Sequence, residues 1–311
     1  MSNNQQPYET LSYLALALDP VHVGTGGYRL GRVDMSIVRE PGTNLPKIPG
    51  TSIAGACRTY AAMQVDGKFP HCAGQGQPRG SSRPGHCGES DCPLCVTFGF
   101  AKGESGSFQG LAQFSDARLV LFPVHSLAGP VWATCPGILN DFNLTEPILD
   151  DGMVRVAAGI KTQGKLNLGW LMLNARNDFS PDKSKLPGIP DEIRNRAVLV
   201  SDKFFSHVVN DNLEVRTSVS IDPTTGAAAD GALFTYEALP RGTVLAFEIT
   251  VSDPRYYRIR DKEPLQNNRQ KAVTAVKNGL RYFEALGVGG MSSRGMGRLR
   301  ILGLQQAGGQ Q

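Results

Sequence analysis

One segment of the chain, residues 71–95, cannot fold by burying apolar side chains. Its sequence, HCAGQGQPRGSSRPGHCGESDCPLC, places four cysteines among Gly, Ser, Pro and His, with almost no apolar periodicity. Cys87, Cys92 and Cys95 follow the pattern C-x4-C-x2-C, and Cys72 precedes them by fifteen residues. Because zinc binds closely spaced thiolates separated by turn residues, these four cysteines predict a zinc site, with His71 or His86 as an alternative to Cys72.

Four protein ligands would close the coordination shell, so the expected zinc is structural and orders an insertion over residues 67–110. Reduced free thiols in a loop are the weaker alternative. Cys57 and Cys135 lie in apolar contexts and are expected in the core.

The whole chain is long enough to fold as one domain over 1–311 without disulfides. No stretch indicates a signal peptide or a membrane span, so we expect a cytoplasmic protein that contacts no membrane.

Positive charge is concentrated near the end of the chain. From Pro254 to Arg300 there are eleven Lys and Arg against three Asp and Glu, a net charge of +8, whereas the whole chain carries only +4. Such asymmetry is expected where one face of a protein meets a polyanion. A solvated basic face is the alternative.

Apolar spacing predicts strands and two helices in an order typical of an α+β protein. The strands are a doubly buried one that begins at residue 10 and stops at Asp19-Pro20, a second over 33–40, segments at 110–124 and 169–175, a projecting hairpin over 214–240 that turns at 222–226, and a last strand over 298–304. One helix begins at Pro49-Gly50, with Thr51 or Ser52 as its cap and Arg58 facing outward. The other spans about 268–286, with Val273, Val276, Leu280 and Phe283 inward. This order is compatible with the ferredoxin-like core of RNA-recognition modules.

Two glycine-rich loops, GTGGYRLG at 24–31 and GVGGMSSRGMG at 287–297, carry arginines. Neither fits G-x-G-x-x-G, and no Walker loop is present. Glycine permits close approach of the backbone and arginine binds phosphate, which suits a nucleic-acid backbone. The candidate phosphate-binding arginines are Arg29, Arg32, Arg294 and Arg298. Ordinary tight turns are the alternative.

A single acid, Asp34, follows the first loop, where it would repel a phosphate backbone. Pairing of Asp34 with Arg32 or Arg39 is one explanation. Nearby, His22 is a possible acid–base group, although a lone histidine at the end of a strand is more often packed or hydrogen-bonded.

The segments VHVGTGGYRLGRVDMSIVRE and LPKIPGTSIAGACR together resemble the N-terminal signature of the RAMP superfamily, and GVGGMSSRGMGRLRI resembles its C-terminal glycine loop. FPVHSLAGPVWATCPGIL and the 214–240 hairpin are similar to segments of the backbone subunit of type III CRISPR interference complexes, particularly the Cmr type. SSRGMGR is also similar to the Csm-type relative.

This resemblance implies a subunit that stacks with further copies of itself along a CRISPR RNA, beside the other subunits of an antiviral effector complex. The hairpin would be a thumb that flips one base out of the guide–target duplex. Asp34 would cleave the complementary target RNA, with a divalent cation such as Mg²⁺ or Mn²⁺, and the cysteine insertion would correspond to a zinc site of some members. The expected RNA-binding residues are His22, Arg29, Arg32, Arg39, Lys47, Ser52, Arg58, Arg216, Arg294 and Arg298.

Two other functions fit the same sequence. A backbone subunit that binds RNA without cleaving it would need no acid at Asp34. An unrelated zinc-stabilised enzyme acting on a nucleotide would show a compact ligand pocket and would not purify with RNA.

Overall fold

The protein is built around one large mixed sheet. The computed structural model describes residues 6–26, 33–74, 85–101, 106–147, 149–228 and 233–304. Its strands are β1 (Tyr8–Ala17), β2 (Lys47–Ile48), β3 (Phe100–Ala101), β4 (Ser107–Phe108), β5 (Ala112–Phe114), β6 (Ala117–Val124), β7 (Val131–Thr134), β8 (Met153–Ala157), β9 (Lys165–Leu168), β10 (Leu171–Phe179), β11 (Ala197–Val200), β12 (Glu214–Ser218), β13 (Phe234–Ala238), β14 (Val244–Ser252) and β15 (Leu299–Ile301). The α-helices are α1 (Gly50–Ala62), α2 (Pro93–Phe98), α3 (Pro136–Asn140), α4 (Asp191–Arg194), α5 (Asp202–Asp211), α6 (Arg269–Leu280) and α7 (Phe283–Leu286).

The described part of the sheet has eleven strands, and nine of them follow the order β15-β1-β14-β6-β7-β11-β8-β10-β9. β2 is added beside β6, and β5 beside β14. The first four strands in this order are antiparallel. β7 and β11 are parallel, as are β8 and β10. The α+β class expected from the sequence is therefore confirmed.

The first predicted strand forms, but its burial differs from the prediction. β1 pairs with β14 along nearly its whole length, from Tyr8 opposite Ser252 to Leu16 opposite Val244. Only its last four residues, 14–17, are buried on both faces. On the other edge, β15 is short and pairs only with residues 15–17, so the first half of β1 stays partly exposed.

Residues 33–40 do not form the predicted second strand. They are extended, but they make only isolated bridges, each to a different part of the chain. Ile37 pairs with Gly24, Met35 with Tyr236 and Arg39 with Pro46. Because the segment crosses from one partner to the next, it never builds a continuous ladder, and an alternating sequence pattern cannot show this difference.

Helix α1 is confirmed, although neither Thr51 nor Ser52 caps it. Pro49 occupies the cap position without a side-chain hydrogen bond. Instead, Asp116 at the start of β6 accepts a hydrogen bond from the Gly50 N–H, 2.8 Å away. The free N–H of Gly50 in the first turn is thus satisfied by an acid distant in sequence.

The predicted second helix is two helices. α6 ends at Leu280 and α7 begins at Phe283, because the Tyr282 N–H bonds to the carbonyl of Gly279 in a tighter turn. The four residues expected to face inward are all buried. Among the described residues, no helix is long and apolar enough to span a bilayer.

The hairpin is confirmed as β12 and β13, paired from Glu214 opposite Ala238 to Ser218 opposite Phe234. Its strands are shorter than predicted. The predicted turn at 222–226 exists, but it closes a smaller loop in which Ile221 bridges to Ala228. Between 45% and 66% of each of four apolar side chains along this hairpin is exposed, namely Val215, Val219, Ile221 and Leu233. An apolar surface of this kind usually marks an interaction site.

Close approach of α1 and α6 supports the core beneath β1 and β14. A Cβ atom at Gly279 would lie 2.2 Å from the carbonyl oxygen of Cys57, so only glycine fits. We therefore expect Gly279→Ala to lower the free energy of unfolding by about 3 kcal/mol through overpacking.

The matched control for this prediction is Gly55→Ala in α1, where an added Cβ meets nothing within 4 Å. That change should raise stability by about 0.5–1 kcal/mol through helix propensity. Urea unfolding of both variants measures the difference. Equal stabilities would show that the two helices do not require this contact.

Candidate nucleic-acid interface and cysteine metal centre

Asp34 lies at the base of the hairpin. Its Oδ2 accepts hydrogen bonds from the Thr235 N–H at 2.7 Å and from the Thr235 hydroxyl at 2.9 Å. The Asp34 N–H in turn donates to the Thr235 hydroxyl oxygen at 3.1 Å. β13 therefore fixes the direction of an exposed carboxylate.

These hydrogen bonds favour the ionised form of the Asp34 carboxyl. The Thr235 N–H, followed by the Thr235 hydroxyl, holds the pKa of the Asp34 carboxyl below its ordinary value. Both donors stabilise the ionised form, so Asp34 carries a full negative charge at neutral pH. Of the two pairings considered for Asp34, Arg32 lies outside the described residues, and Arg39 is directed elsewhere.

Arg39 belongs to a network that fastens the hairpin to the core. Its guanidinium donates to Glu237 at 2.8 Å, to the Asn210 side chain at 3.0 Å and to the Ile37 carbonyl at 3.1 Å. His22 is buried, and its Nδ1 lies 2.6 Å from the Glu237 carbonyl oxygen. Both side chains were predicted to contact RNA, and in the structure both are hydrogen-bonded to β13, with Arg39 also bonded to α5.

The other predicted RNA-binding residues differ in whether they already form an ion pair within the protein. Lys47 pairs with Asp116 at 2.5 Å, and Arg216 with Glu214 at 2.6 Å. Ser52 is half-buried in the first turn of α1. Arg29 and Arg32 lie outside the described residues.

Two arginines of the second glycine loop are exposed. Arg294 lies 5.7 Å over the ring of Phe234, at the hairpin base. Arg298 forms two hydrogen bonds with Asp19, at 2.5 and 3.0 Å. Arg294 thus contacts Phe234, the residue that precedes Thr235 in β13.

The basic segment from 254 to 300 is less uniform than its composition indicates. Within the described ranges, five of its eleven basic residues form ion pairs, with Asp253, Glu263, Glu9, Asp19 and Glu284. Surface pairing of this kind reduces the field that an approaching polyanion meets.

The cysteine insertion brings together the four predicted ligands. The sulfurs of Cys72, Cys87 and Cys95 lie 3.6–3.7 Å from one another. With the sulfur of Cys92 included, all four lie within 4.8 Å of one another. Zn–S bonds of about 2.3 Å in a tetrahedron separate the sulfurs by about 3.8 Å, so the cluster fits zinc. The four cysteines can hold a metal ion, and neither His71 nor His86 replaces Cys72.

Arg58 corrects one prediction. It was expected to face outward toward RNA, but it is buried beside the cysteines, donating to the carbonyls of Cys72 and Gly99, both at 2.7 Å. Lys68 lies 3.6 Å from the Cys87 sulfur. Four thiolates around one divalent ion leave two negative charges, and these two cations offset them. The apolar spacing of α1 could not show this, because the insertion covers that face of the helix.

The insertion also has its own apolar anchors, which its sequence did not indicate. Leu94, Val96 and Phe100 are buried and belong to the main core cluster. α2 begins directly at the last two cysteines, and the Cys92 sulfur accepts from the Cys95 N–H at 3.5 Å.

A family model described as the RAMP superfamily matches residues 15–300 of the chain. The chain belongs to the RAMP superfamily. The CRISPR system Cmr endoribonuclease Cmr4 of Pyrococcus furiosus is 25% identical to this RAMP protein over 265 residues, covering 76% of this chain and 80% of that protein.

Solved structures agree with this RAMP fold. A chain in the cryo-EM structure of the Type III-B Cmr-beta bound to cognate target RNA has a TM-score of 0.66 and 15% identity, covering 96% of this chain and 98% of that one. The crystal structure of oligomeric Cmr4 from Pyrococcus furiosus has a TM-score of 0.59 and 18% identity, covering 95% and 99%. The expected similarity to Cmr-type members is confirmed.

Three residues around the candidate site were not identified from the sequence: Thr235, Glu237 and Asn210. All three act on residues about 170–200 positions earlier in the chain. Thr235 and Glu237 lie in β13 directly before and directly after Tyr236. Alternation of polar and apolar residues in this way is typical of any hairpin strand. No local signal distinguishes them.

The hydrogen bonds to Asp34 generate a prediction. Thr235→Val removes the hydroxyl donor and keeps the N–H donor, so the pKa of the Asp34 carboxyl should rise toward its ordinary value. Because the folded-state pKa is lowered, this bonding stabilises the fold at neutral pH and is lost as pH falls through that pKa. Carboxyl ¹³C titration of the two proteins measures the shift.

Thr250→Val is the matched control, since Thr250 faces Thr10 on β1 rather than Asp34. It should leave the Asp34 titration unchanged. An unchanged titration in Thr235→Val would show that the hydroxyl does not hold the carboxylate.

Proposed function

We propose that this RAMP protein is a guide-RNA-binding backbone subunit of a type III CRISPR effector complex, and that Asp34 carries cleavage of the paired target RNA. Membership of the superfamily supports the first part, together with the relative whose name describes a Cmr endoribonuclease. The observation that carries the second part is the fixed, ionised and exposed carboxylate of Asp34 at the base of a projecting hairpin.

The chemistry needs little from the protein, because RNA carries its own nucleophile. The 2′-hydroxyl attacks the neighbouring phosphorus and gives its proton to water. The bond from phosphorus to the 5′-oxygen breaks as that oxygen takes a proton from water, giving a cyclic phosphate and a 5′-hydroxyl. In-line placement of the 2′-oxygen supplies much of the rate. Asp34 accepts a hydrogen bond from the 2′-hydroxyl and orients it. A lowered pKa makes this carboxylate a weak proton acceptor, so orientation is its main contribution.

Charge on the reacting phosphate requires a cation. Arg294 is one candidate on the described chain, because it contacts Phe234, the residue before Thr235. The described residues gather no group of three or more possible metal ligands around Asp34, so they do not by themselves form a site for Mg²⁺ or Mn²⁺. We therefore assign no step to a divalent ion, which would need phosphate oxygens and water as further ligands.

The guide strand is proposed to lie over the surface between the two glycine loops and the first turn of α1. Ser52, Arg294, Arg298, Lys47 and Arg216 are retained as candidate contacts. Lys47, Arg216 and Arg298 are ion-paired, so binding phosphate requires them to exchange a carboxylate partner for a phosphate. We no longer assign RNA contacts to Arg58, Arg39 and His22.

The ferredoxin-like core and the thumb belong to the same proposal. Four strands lie in the sheet in the order β15-β1-β14-β6. Along the chain, α1 lies between β1 and β6, and α6 lies between β14 and β15. This arrangement supports the ferredoxin-like core. The exposed apolar residues of the hairpin support a thumb that inserts beside a base and unstacks it. Assembly with further copies along the guide and with other effector subunits rests on the resemblance and on the solved relatives.

A non-catalytic scaffold remains the second candidate, and one observation favours it. Both hydrogen bonds to Asp34 reach the same oxygen and come from the hairpin, so the carboxylate would have the same geometry if its only task were to fasten β13.

Asp34→Asn separates the two functions. The amide keeps the size of the side chain but loses the charge, so cleavage of complementary RNA by the assembled complex should fall by at least about 100-fold, while guide binding survives. The measurement is gel analysis of target cleavage, with filter binding of guide RNA.

Asp182→Asn is the matched control. Asp182 is also exposed, and it accepts the same pair of bonds from the N–H and hydroxyl of Ser184, both at 2.8 Å, rather than from a residue of the hairpin. Cleavage should be unchanged in this control. Intact cleavage in Asp34→Asn would establish the scaffold and reject the catalytic assignment.

We also propose that the four cysteines hold one structural zinc. Cys92→Ser should reduce the metal content from about one equivalent per chain and unfold the insertion at a lower temperature than the core. Elemental analysis and calorimetry measure the two effects. Cys135→Ser, a buried cysteine outside the cluster, should keep the metal. Absence of zinc from protein purified without chelator would refute this assignment.

A further inference from the structure

An exposed tryptophan lies on a tight turn away from the cysteine centre. Trp170 follows Gly169 between β9 and β10, and 77% of its surface is exposed. Gly169 has a φ of +62°, and its N–H donates to the His125 carbonyl at 3.0 Å. A large apolar ring held in water by a rigid turn is unusual and indicates a binding role.

The ring is held in a fixed orientation. Its Nε1–H donates to Oδ2 of Asp211, the last residue of α5, at 2.9 Å. The indole edge is thereby satisfied, and a face of the ring is left for contact. An aromatic ring fixed in this way loses little conformational entropy when a ligand stacks on it.

Together, Trp170 and the outer face of α5 line a small pocket of about 230 Å³. Phe204, His207 and Asp211 recur at helical spacing on that face, and Leu168 and Leu171 close the other side. This volume is below the roughly 300–1,000 Å³ of pockets for drug-sized ligands, and it suits one planar ring rather than an extended peptide.

The pocket adjoins the proposed RNA surface. Asn210, the residue before Asp211, binds Arg39, which in turn binds Glu237 of β13. Two residues beyond Asn212 the chain enters β12 and the hairpin. The end of α5 thus links the pocket to β13 through Asn210 and Arg39.

We propose that the pocket between Trp170 and α5 binds one unpaired nucleobase of RNA by stacking. The inference rests on the proposed RNA-binding function and adds a site to it. Stacking on an aromatic platform accepts any base, because every base has a π-face. The site therefore adds affinity for single-stranded RNA without sequence preference.

The test uses the two tryptophans of the full-length chain as separate reporters. Trp132 is half-buried, and its Nε1–H donates to the Gly242 carbonyl at 2.8 Å. In Trp132→Phe, emission comes from Trp170 and should be quenched by saturating single-stranded RNA. In Trp170→Phe, emission comes from Trp132 and should not change. Anisotropy of a labelled copy of the same RNA measures total binding in parallel.

Affinity gives the second readout. Trp170→Ala should weaken RNA binding about tenfold. The control Leu127→Ala removes an exposed apolar side chain that does not line the pocket, and it should leave binding unchanged. RNA binding without quenching of Trp170, or full affinity in Trp170→Ala, would overturn the nucleobase site and leave the proposed function intact.

Two further results also decide the matter. If anisotropy shows no RNA binding at all, the proposed function fails together with this site. If Trp170 emission changes with protein concentration in the absence of RNA, a second copy of the chain occupies the pocket, and the nucleobase assignment is wrong.

Discussion

The ion pair between Arg39 and Glu237 fixes the geometry on which the candidate site depends. Both side chains are largely buried, and removing either partner would leave a charge without compensation, at a cost of about 3–5 kcal/mol. Glu237 is also the residue whose carbonyl meets His22. His22 thus joins β13 to the segment before the first glycine loop, and Arg39 joins β13 to the segment after that loop. Asp34 is positioned by Thr235, two residues earlier in the same strand. The hairpin therefore determines where the acid lies.

The cysteine centre solves a separate problem, which is the folding of a segment with few apolar residues. Its sulfurs lie at separations that fit one tetrahedral ion, while Leu94, Val96 and Phe100 attach the insertion to the common core. Arg58 is the link between the two, because it projects from α1 and binds carbonyls on both sides of the insertion. A buried cation beside four thiolates is tolerated because the opposite charges offset each other's desolvation. The metal centre and the helix that begins near the proposed guide surface are thus parts of one unit.

The sequence predicted correctly those features that depend on residues close together in the chain. The spacing of four cysteines, the apolar stripes of α1 and α6, and the alternation of the hairpin were all recognisable, because each depends on neighbours within a few turns of chain. Arg58 was misplaced because the insertion, not the helix, decides its environment. Residues 33–40 failed as a strand because their partners are three unrelated segments. For Asp34 the sequence singled out the acid, but the donors that hold its carboxylate and lower its pKa lie about 200 residues away in the chain. Such pairs are invisible to periodicity.

The manner in which Thr235 holds Asp34 has a consequence for evolution. One of the two donors to the carboxylate is a main-chain N–H, which every amino acid except proline supplies. Drift at position 235 would therefore preserve half of the anchoring whatever side chain appears there. The side chain at position 235 can therefore vary among descendants of this chain while Asp34 keeps its orientation. Variability at that position would not show that the backbone there is unimportant for the site.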